Sequence, residues 1–203
     1  MPMTVDYDRF NINVEKENLI TYVGNKSFYK DGVDILIKSF ANVSPEYPQW
    51  KLMIVGETTK DDYIKDYLSK LNLGEKLILT GNVHRDEIPA LVCKSKILVL
   101  SRPNNKQAEG GFPTKLGEYL ASENLVVTTA VGEIPNFLED NINSLLALPN
   151  DVDSFSNRLR DGIQNYAELS AVRKKGRILA KDVFNAKTQG KRLSDYFMSF
   201  INH

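Results

Sequence analysis

Short aliphatic and β-branched runs alternate with longer segments of helical periodicity, and this alternation is the strongest constraint on the fold. Strands are read at Leu19–Gly24, Trp50–Gly56, Lys76–Gly81, Ile97–Arg102, Leu125–Thr129 and Ser144–Leu148, most of them closed by glycine or a polar turn. Between them the spacing predicts helices at Gly32–Asn42, Lys60–Leu71, Arg85–Cys93, Pro113–Glu123 and Pro135–Asp140. Parallel strands need crossovers of this length, so the pattern gives an α/β fold, a doubly wound parallel six-stranded sheet wrapped by helices. Its usual strand order, 3-2-1-4-5-6, makes the first and fourth strands neighbours. The loops after Gly24 and Arg102 should then face each other, where such sheets bind ligands.

From Asp151 the strand signals stop, and helices are predicted at Asp151–Asn165, Leu169–Lys181 and Lys187–Phe200. The expected organisation is a connecting segment over residues 1–18, a Rossmann-like body over 19–150 and C-terminal helices over 151–203 packed on the same domain. A length of 203 residues fits one large domain or one domain with an appendage.

Lys and Arg total 26, as do Asp and Glu, so the formal net charge is zero, which argues against a nucleic-acid partner. The balance is uneven along the chain. Residues 151–203 hold ten basic against six acidic side chains, and residues 1–150 hold sixteen against twenty. Arg173-Lys174-Lys175-Gly176-Arg177 is the densest basic run, for which a solvated helix face is the plainer reading and a membrane or partner contact the other. No apolar run approaches the roughly 18 residues of a membrane span. The first residues, with two acids and no apolar stretch, do not read as a secretory signal. The single cysteine, Cys93, excludes an internal disulfide and points to a reducing cytoplasm.

The first loop runs Gly24-Asn-Lys-Ser-Phe-Tyr-Lys-Asp-Gly32 and carries neither the dinucleotide fingerprint nor the phosphate-loop motif. Lys26 and Lys30 remain as cations that could meet a phosphate at the end of a central strand, or as surface lysines. In the loop after the fourth strand, Gly110-Gly111 admits close approach of a ligand to the backbone. Pro113 suits a first helical position, and the turn that follows has amides open to an anion; a plain loop-to-helix junction explains the same residues. Periodicity gives Glu118 no role, because it points away from the arc of Leu116, Tyr119 and Leu120 and so reads as solvated. Asp151-Val-Asp153 opens a helix, where capping is the better reading than metal binding. His84 and His203 have no partners at ligand spacing, and Cys93 has no catalytic partner in sequence.

The motifs in their order resemble those of the donor-binding half of a GT-B glycosyltransferase, most similar to glycosyltransferase family 4. Pro2 to Phe10 is similar to the segment entering the family's second domain. Tyr22-Val-Gly with Lys30-Asp-Gly-Val-Asp34 resembles its first strand and basic loop, Ile54-Val-Gly56 its second strand and Thr80-Gly81 its third. Gly111-Phe-Pro-Thr-Lys-Leu-Gly-Glu-Tyr-Leu-Ala121 is the most specific match, followed by Val126-Val127 and Gly132-Glu-Ile-Pro135 through Asn143 and Leu146.

The resemblance implies retaining transfer of a sugar from a nucleotide diphosphate sugar to a glycan or lipid-linked acceptor, in polysaccharide biosynthesis, with no metal and no other cofactor. It assigns Lys30, with Lys26 nearby, to the diphosphate and Glu118 to the ribose hydroxyls. Glu109 falls to the donor sugar with Lys30 as its catalytic companion, and the backbone of Gly111, Phe112 and Thr114 to sugar and phosphate. The family's glutamate pair encloses seven residues, whereas eight separate Glu109 from Glu118, so Gly110 or Glu109 fills the first position. Asn25 stands where many relatives have arginine, and Pro113 has no N–H to donate. An N-terminal acceptor domain is expected as the missing partner, the chain alone is expected to be inactive, and the full-length enzyme is expected in the cytoplasm, with peripheral contact at the inner membrane face a further expectation. The competing readings are a non-catalytic nucleotide-sugar-binding module and a sugar-nucleotide epimerase of the same architecture.

Overall fold

A computed structural model describes residues 3–24, 31–57, 68, 70, 71 and 73–201. Six strands, β1 (Glu17–Val23), β2 (Lys51–Val55), β3 (Leu77–Gly81), β4 (Ser95–Leu100), β5 (Leu125–Thr129) and β6 (Leu145–Ala147), form one parallel sheet. Their order is β3-β2-β1-β4-β5-β6, as the alternation of elements predicts. The central strands are covered on both faces, which is why they read as unbroken apolar runs; all five residues of β5 are buried.

The helices are α1 (Val33–Val43), α2 (Ile88–Lys94), the one-turn α3 (Lys106–Glu109), α4 (Thr114–Ala121), α5 (Val152–Gln164), α6 (Ser170–Leu179) and α7 (Ala186–Ile201). On one face α5 lies so close to the sheet that a Cβ on Gly162 would meet Leu125, Ile97 and Leu145. Helix α1 packs beside it, tied by Ser39 Oγ donating to the Val152 carbonyl at 3.0 Å. The opposite face, bearing Leu19, Met53 and Val55, is covered by α2 through Ile88 and Leu91. The right-handed β4–α4–β5 crossover brings α4 to that second face, where α6 packs against it.

The segment before β1 is held on the body. Val5 and Phe10 are buried, and Val5 exchanges backbone hydrogen bonds with Phe184 and Ala186 at 2.7 and 3.0 Å. Asp151 caps α5 by accepting from the Ser154 amide at 2.8 Å, the capping role read for it.

One predicted helix is not formed as read. The segment Pro135–Asp140 forms only a 3-10 turn at Ile134–Asn136. Asn143 Oδ1 captures the Glu139 amide at 2.9 Å where the helix would continue, and Asp140 turns its side chain to the Leu146 amide of β6 at 2.8 Å. A π-helical turn, Ala180–Phe184, separates α6 from α7. The helix predicted at Lys60–Leu71 lies outside the described residues except at 68, 70 and 71. Among the described residues no helix is long and apolar enough to cross a membrane.

Candidate functional site

The ends of β1 and β4 meet as the topology requires. Gly32 has φ +62°, and a Cβ there would overlap the Ser101 carbonyl oxygen, so only glycine allows this approach. Ser101 Oγ closes the junction by donating to the Gly32 carbonyl at 2.6 Å. Beneath it lies a polar cluster. The Tyr22 hydroxyl donates to Asp31 Oδ2 at 2.6 Å, and Lys115, on the first turn of α4, ion-pairs with the same oxygen and donates to the Tyr22 hydroxyl at 3.0 Å. Asp31 is buried, and the Lys115 ammonium also sits 4.6 Å from the Tyr22 ring centroid. Burial, reinforced by the Asp31 charge, pushes the Tyr22 phenol far above its usual range, so it stays protonated.

Lys115 borders two clefts. The first, about 300 Å³, is lined by Asp31, Arg102, Gln107 and the stretch from Gly110 to Lys115. Arg102 is buried and braces this loop, donating to the Gly111 carbonyl at 3.0 Å and the Gln107 carbonyl at 3.3 Å. Its Nε is buried without a hydrogen-bond partner among the described residues. Gly111 has φ +148°, a backbone conformation that side chains rarely adopt. Pro113 sits one position earlier than its sequence reading, at the N-cap of α4, so the Thr114 amide opens the first turn with no helical residue before it to accept its hydrogen bond, whereas the Leu116 amide donates to the Pro113 carbonyl at 3.1 Å.

The side chain of Phe112 points into the core, stacked on Phe184 at 4.8 Å between centroids and edge-on to Phe137 at 5.1 Å. Only its backbone is left for a ligand. Gly110, Gly111, Phe112 and Thr114 are therefore brought together around one cleft. Glu109 ends α3 exposed, and Gly110, not Glu109, stands among the lining residues. Lys26 and Lys30 lie outside the described residues.

The second cleft, about 280 Å³, is lined by Arg9, Gly24, Arg85, Ile88 and Glu118 as well as Lys115. Glu118 is half-buried, which corrects its solvated reading. Periodicity reports which arc of α4 meets the sheet, but the opposite arc here faces the Tyr7–Phe10 turn and Arg85 instead of open water. Burial raises the Glu118 carboxyl above the ordinary carboxylate range, against the opposing pull of Arg9, Arg85 and Lys115.

Sequence reasoning missed Lys115, Asp31, Tyr22 and Arg102. Lys115 was signalled by its spacing, since it lies three residues before Glu118 and so shares its arc. Arg102 was signalled only by its place at a strand's carboxyl end. Nothing local marks Asp31 as buried.

The parallel sheet agrees with what known proteins show. The family described as glycosyl transferases group 1 matches residues 5–178, so the chain belongs to that family. Its fold is the Rossmann-like half of the GT-B architecture. Among curated proteins, it is 24% identical over 153 residues to the gpi3 subunit of phosphatidylinositol N-acetylglucosaminyltransferase of Schizosaccharomyces pombe, covering 75% of this chain and 32% of that one. An uncharacterized glycosyltransferase of Methanocaldococcus jannaschii is 24% identical over 142 residues, 70% of this chain and 35% of its own. The chain thus spans about a third of the length of these relatives. Among solved structures, Anabaena HepE in complex with UDP and glucose superposes with a TM-score of 0.82 at 17% identity, over 97% of this chain and 55% of HepE. The C-terminal domain of a group 1 family glycosyl transferase from Francisella tularensis superposes with a TM-score of 0.72 at 18% identity, over 91% of this chain and 95% of that domain.

Proposed function

We propose that the chain is the donor-binding half of a retaining glycosyltransferase that moves a sugar from a nucleotide diphosphate sugar to a glycan or lipid-linked acceptor held by a further domain. The observation that carries this reading is the convergence of Lys115, Arg102 and the first turn of α4 at the carboxyl ends of β1 and β4. As the glycosidic C–O bond breaks, negative charge grows on the departing diphosphate. A lysine and oriented amides in a partly dry cleft stabilise that charge without a metal.

In this reading the amides of Gly111, Phe112 and Thr114 hold sugar and phosphate, and Lys115 joins Lys30 and Lys26 at the diphosphate. Glu118, in the adjoining cleft, accepts hydrogen bonds from the ribose diol. Gly110 fills the first position of the glutamate pair, because it lines the cleft and Glu109 does not. Asp31 lines the cleft but is engaged by Lys115 and Tyr22, so among the described residues no carboxylate lining it is poised for a glycosidase-like double displacement. That HepE is solved with UDP and glucose supports a nucleoside diphosphate sugar as donor.

The test is Thr114→Pro. Proline is at home in the first turn of a helix, and Pro113 already has the extended conformation (φ −72°, ψ 125°) that a following proline requires. The substitution therefore removes one amide donor and little else. Calorimetry with uridine, guanosine and adenosine diphosphates should find one that binds the wild type. Thr114→Pro should weaken it by about 1.5–3 kcal/mol while sparing the bare nucleoside. Failure of all three diphosphates to bind, or equal affinity in both proteins, overturns the reading.

A further inference from the structure

The donor cleft leaves the basic run of α6 unused. Arg173 and Arg177 lie four residues apart and so share one face of the helix. That face is not solvated. Both residues are half-buried and line a third cleft, about 570 Å³, with Lys16, Ser122, Glu123 and Tyr166. Its walls come from the segment entering β1 and from the turn preceding β5, which puts it at the amino end of the sheet, opposite the donor cleft.

Three cations meet one carboxylate in this cleft, and the carboxylate is occupied: Glu123 pairs with Arg177 at 3.1 Å. Arg177 further donates to the Tyr7 hydroxyl at 2.8 Å and to Asn11 Oδ1 at 2.9 Å. Lys16 donates to the Cys93 carbonyl at 3.1 Å and to the Asn124 side chain, which leaves one of its three ammonium protons. Arg173 lays its guanidinium over the Tyr166 ring at 4.2 Å and donates from one terminal nitrogen to the Tyr166 carbonyl, so the other side of its fork is uncommitted among the described residues. Burial lowers the Lys16 ammonium from its ordinary value, and the charges of Arg173 and Arg177 add to this against the opposing pull of Cys93 and Glu123. A concave, partly dry site with this excess of positive charge is complementary to an anion.

We propose that this cleft is a second ligand site, separate from the donor cleft, that takes a small molecule through a phosphate group held by Arg173 and Lys16. The cleft has the volume of a metabolite site, larger than one phosphate needs, and its polar wall of Asn11, Asn13 and Ser122 suits a hydroxylated body attached to that phosphate.

Backbone-amide NMR of the whole chain, titrated with inorganic phosphate and with ribose 5-phosphate at constant ionic strength in chloride, tests this. Saturable shifts are expected at residues 11–16, 122–124 and 166–177. Arg173→Gln and Lys16→Met should each weaken binding there by about tenfold, the loss of one charge-assisted hydrogen bond, and Arg173→Lys by less. Arg173→Gln gives up only the bond to the Tyr166 carbonyl and one ring contact, so it serves even if Lys16→Met fails to fold. Thr114→Pro should leave these shifts unchanged, which separates this site from the donor cleft. Shifts that chloride alone reproduces, the absence of saturable shifts with both probes, or full affinity in Arg173→Gln overturn the proposal.

Discussion

Replacing Glu118 by alanine distinguishes a solvated helix face from one that reads a ligand. A solvated glutamate would cost within about 0.5 kcal/mol of stability and change no binding. The half-buried carboxylate beside Arg9 and Arg85 predicts otherwise. If it accepts a ribose hydroxyl, its loss weakens a nucleoside diphosphate by about 1.5–3 kcal/mol, or roughly 10- to 150-fold in Kd. Calorimetry with the ribose ligand and its 2′-deoxy analogue, on wild type and Glu118→Ala, isolates the bond, because it exists in only one of the four combinations. Stability gives an independent sign. Burial raises the folded-state carboxyl, so the folded protein holds the Glu118 proton more tightly than the unfolded chain does. That contribution favours folding below the ordinary carboxylate range and is lost as pH rises through the raised value. At about pH 7 the ionised side chain costs stability, so Glu118→Gln should raise the urea midpoint there and change it little at about pH 3.5. Equal deoxygenation penalties in both proteins would refute the ribose role, and an unchanged midpoint at neutral pH would refute the burial argument.

Gly32→Ala should destabilise by about 2–5 kcal/mol, the sum of left-handed strain and the overlap with the Ser101 carbonyl; a shift in urea midpoint worth less than about 1 kcal/mol would show that the junction between β1 and β4 yields easily. Lys30→Ala should weaken a nucleoside diphosphate by about 1.5–3 kcal/mol and leave the nucleoside nearly unaffected, whereas Lys60→Ala, on a segment the sequence reads as an exposed helix, should do neither. Equal losses for diphosphate and nucleoside would return Lys30 to the surface lysines.

What the sequence makes legible follows from how far each signal reaches. Strand order comes from the alternation of elements, because crossover handedness leaves few arrangements for such a chain. That Gly110, Gly111 and Thr114 share one loop at a cleft is legible because a glycine pair before a proline-led helix is a local pattern. Glu118 is misread by periodicity because that argument knows only the two sides of α4, core and not-core. The not-core side is walled by Arg9 and Arg85, 109 and 33 residues away along the chain. Lys115 fails for the same reason. Its spacing from Glu118 marks the arc it stands on, but its partners Tyr22 and Asp31 are 93 and 84 residues distant, and nothing local in the sequence records an ion pair across that separation.

Net charge is misleading in a similar way. A formal charge of zero describes the field far from the molecule, yet a ligand in a cleft meets only the side chains within about one Debye length, some 8–10 Å. The fold sorts charge over that shorter range. Lys115 and Arg102 gather at the carboxyl ends of the strands, and Lys16, Arg173 and Arg177 at the amino end. Asp31 and Glu123, the carboxylates lining those clefts, are each engaged by a lysine or an arginine. The same neutrality that argues against a long polyanion is thus compatible with two concave sites for small ones. Which cations matter to binding is decided by the walls around them, and the densest basic run in the sequence contributes two of its four, Arg173 and Arg177, to a cleft.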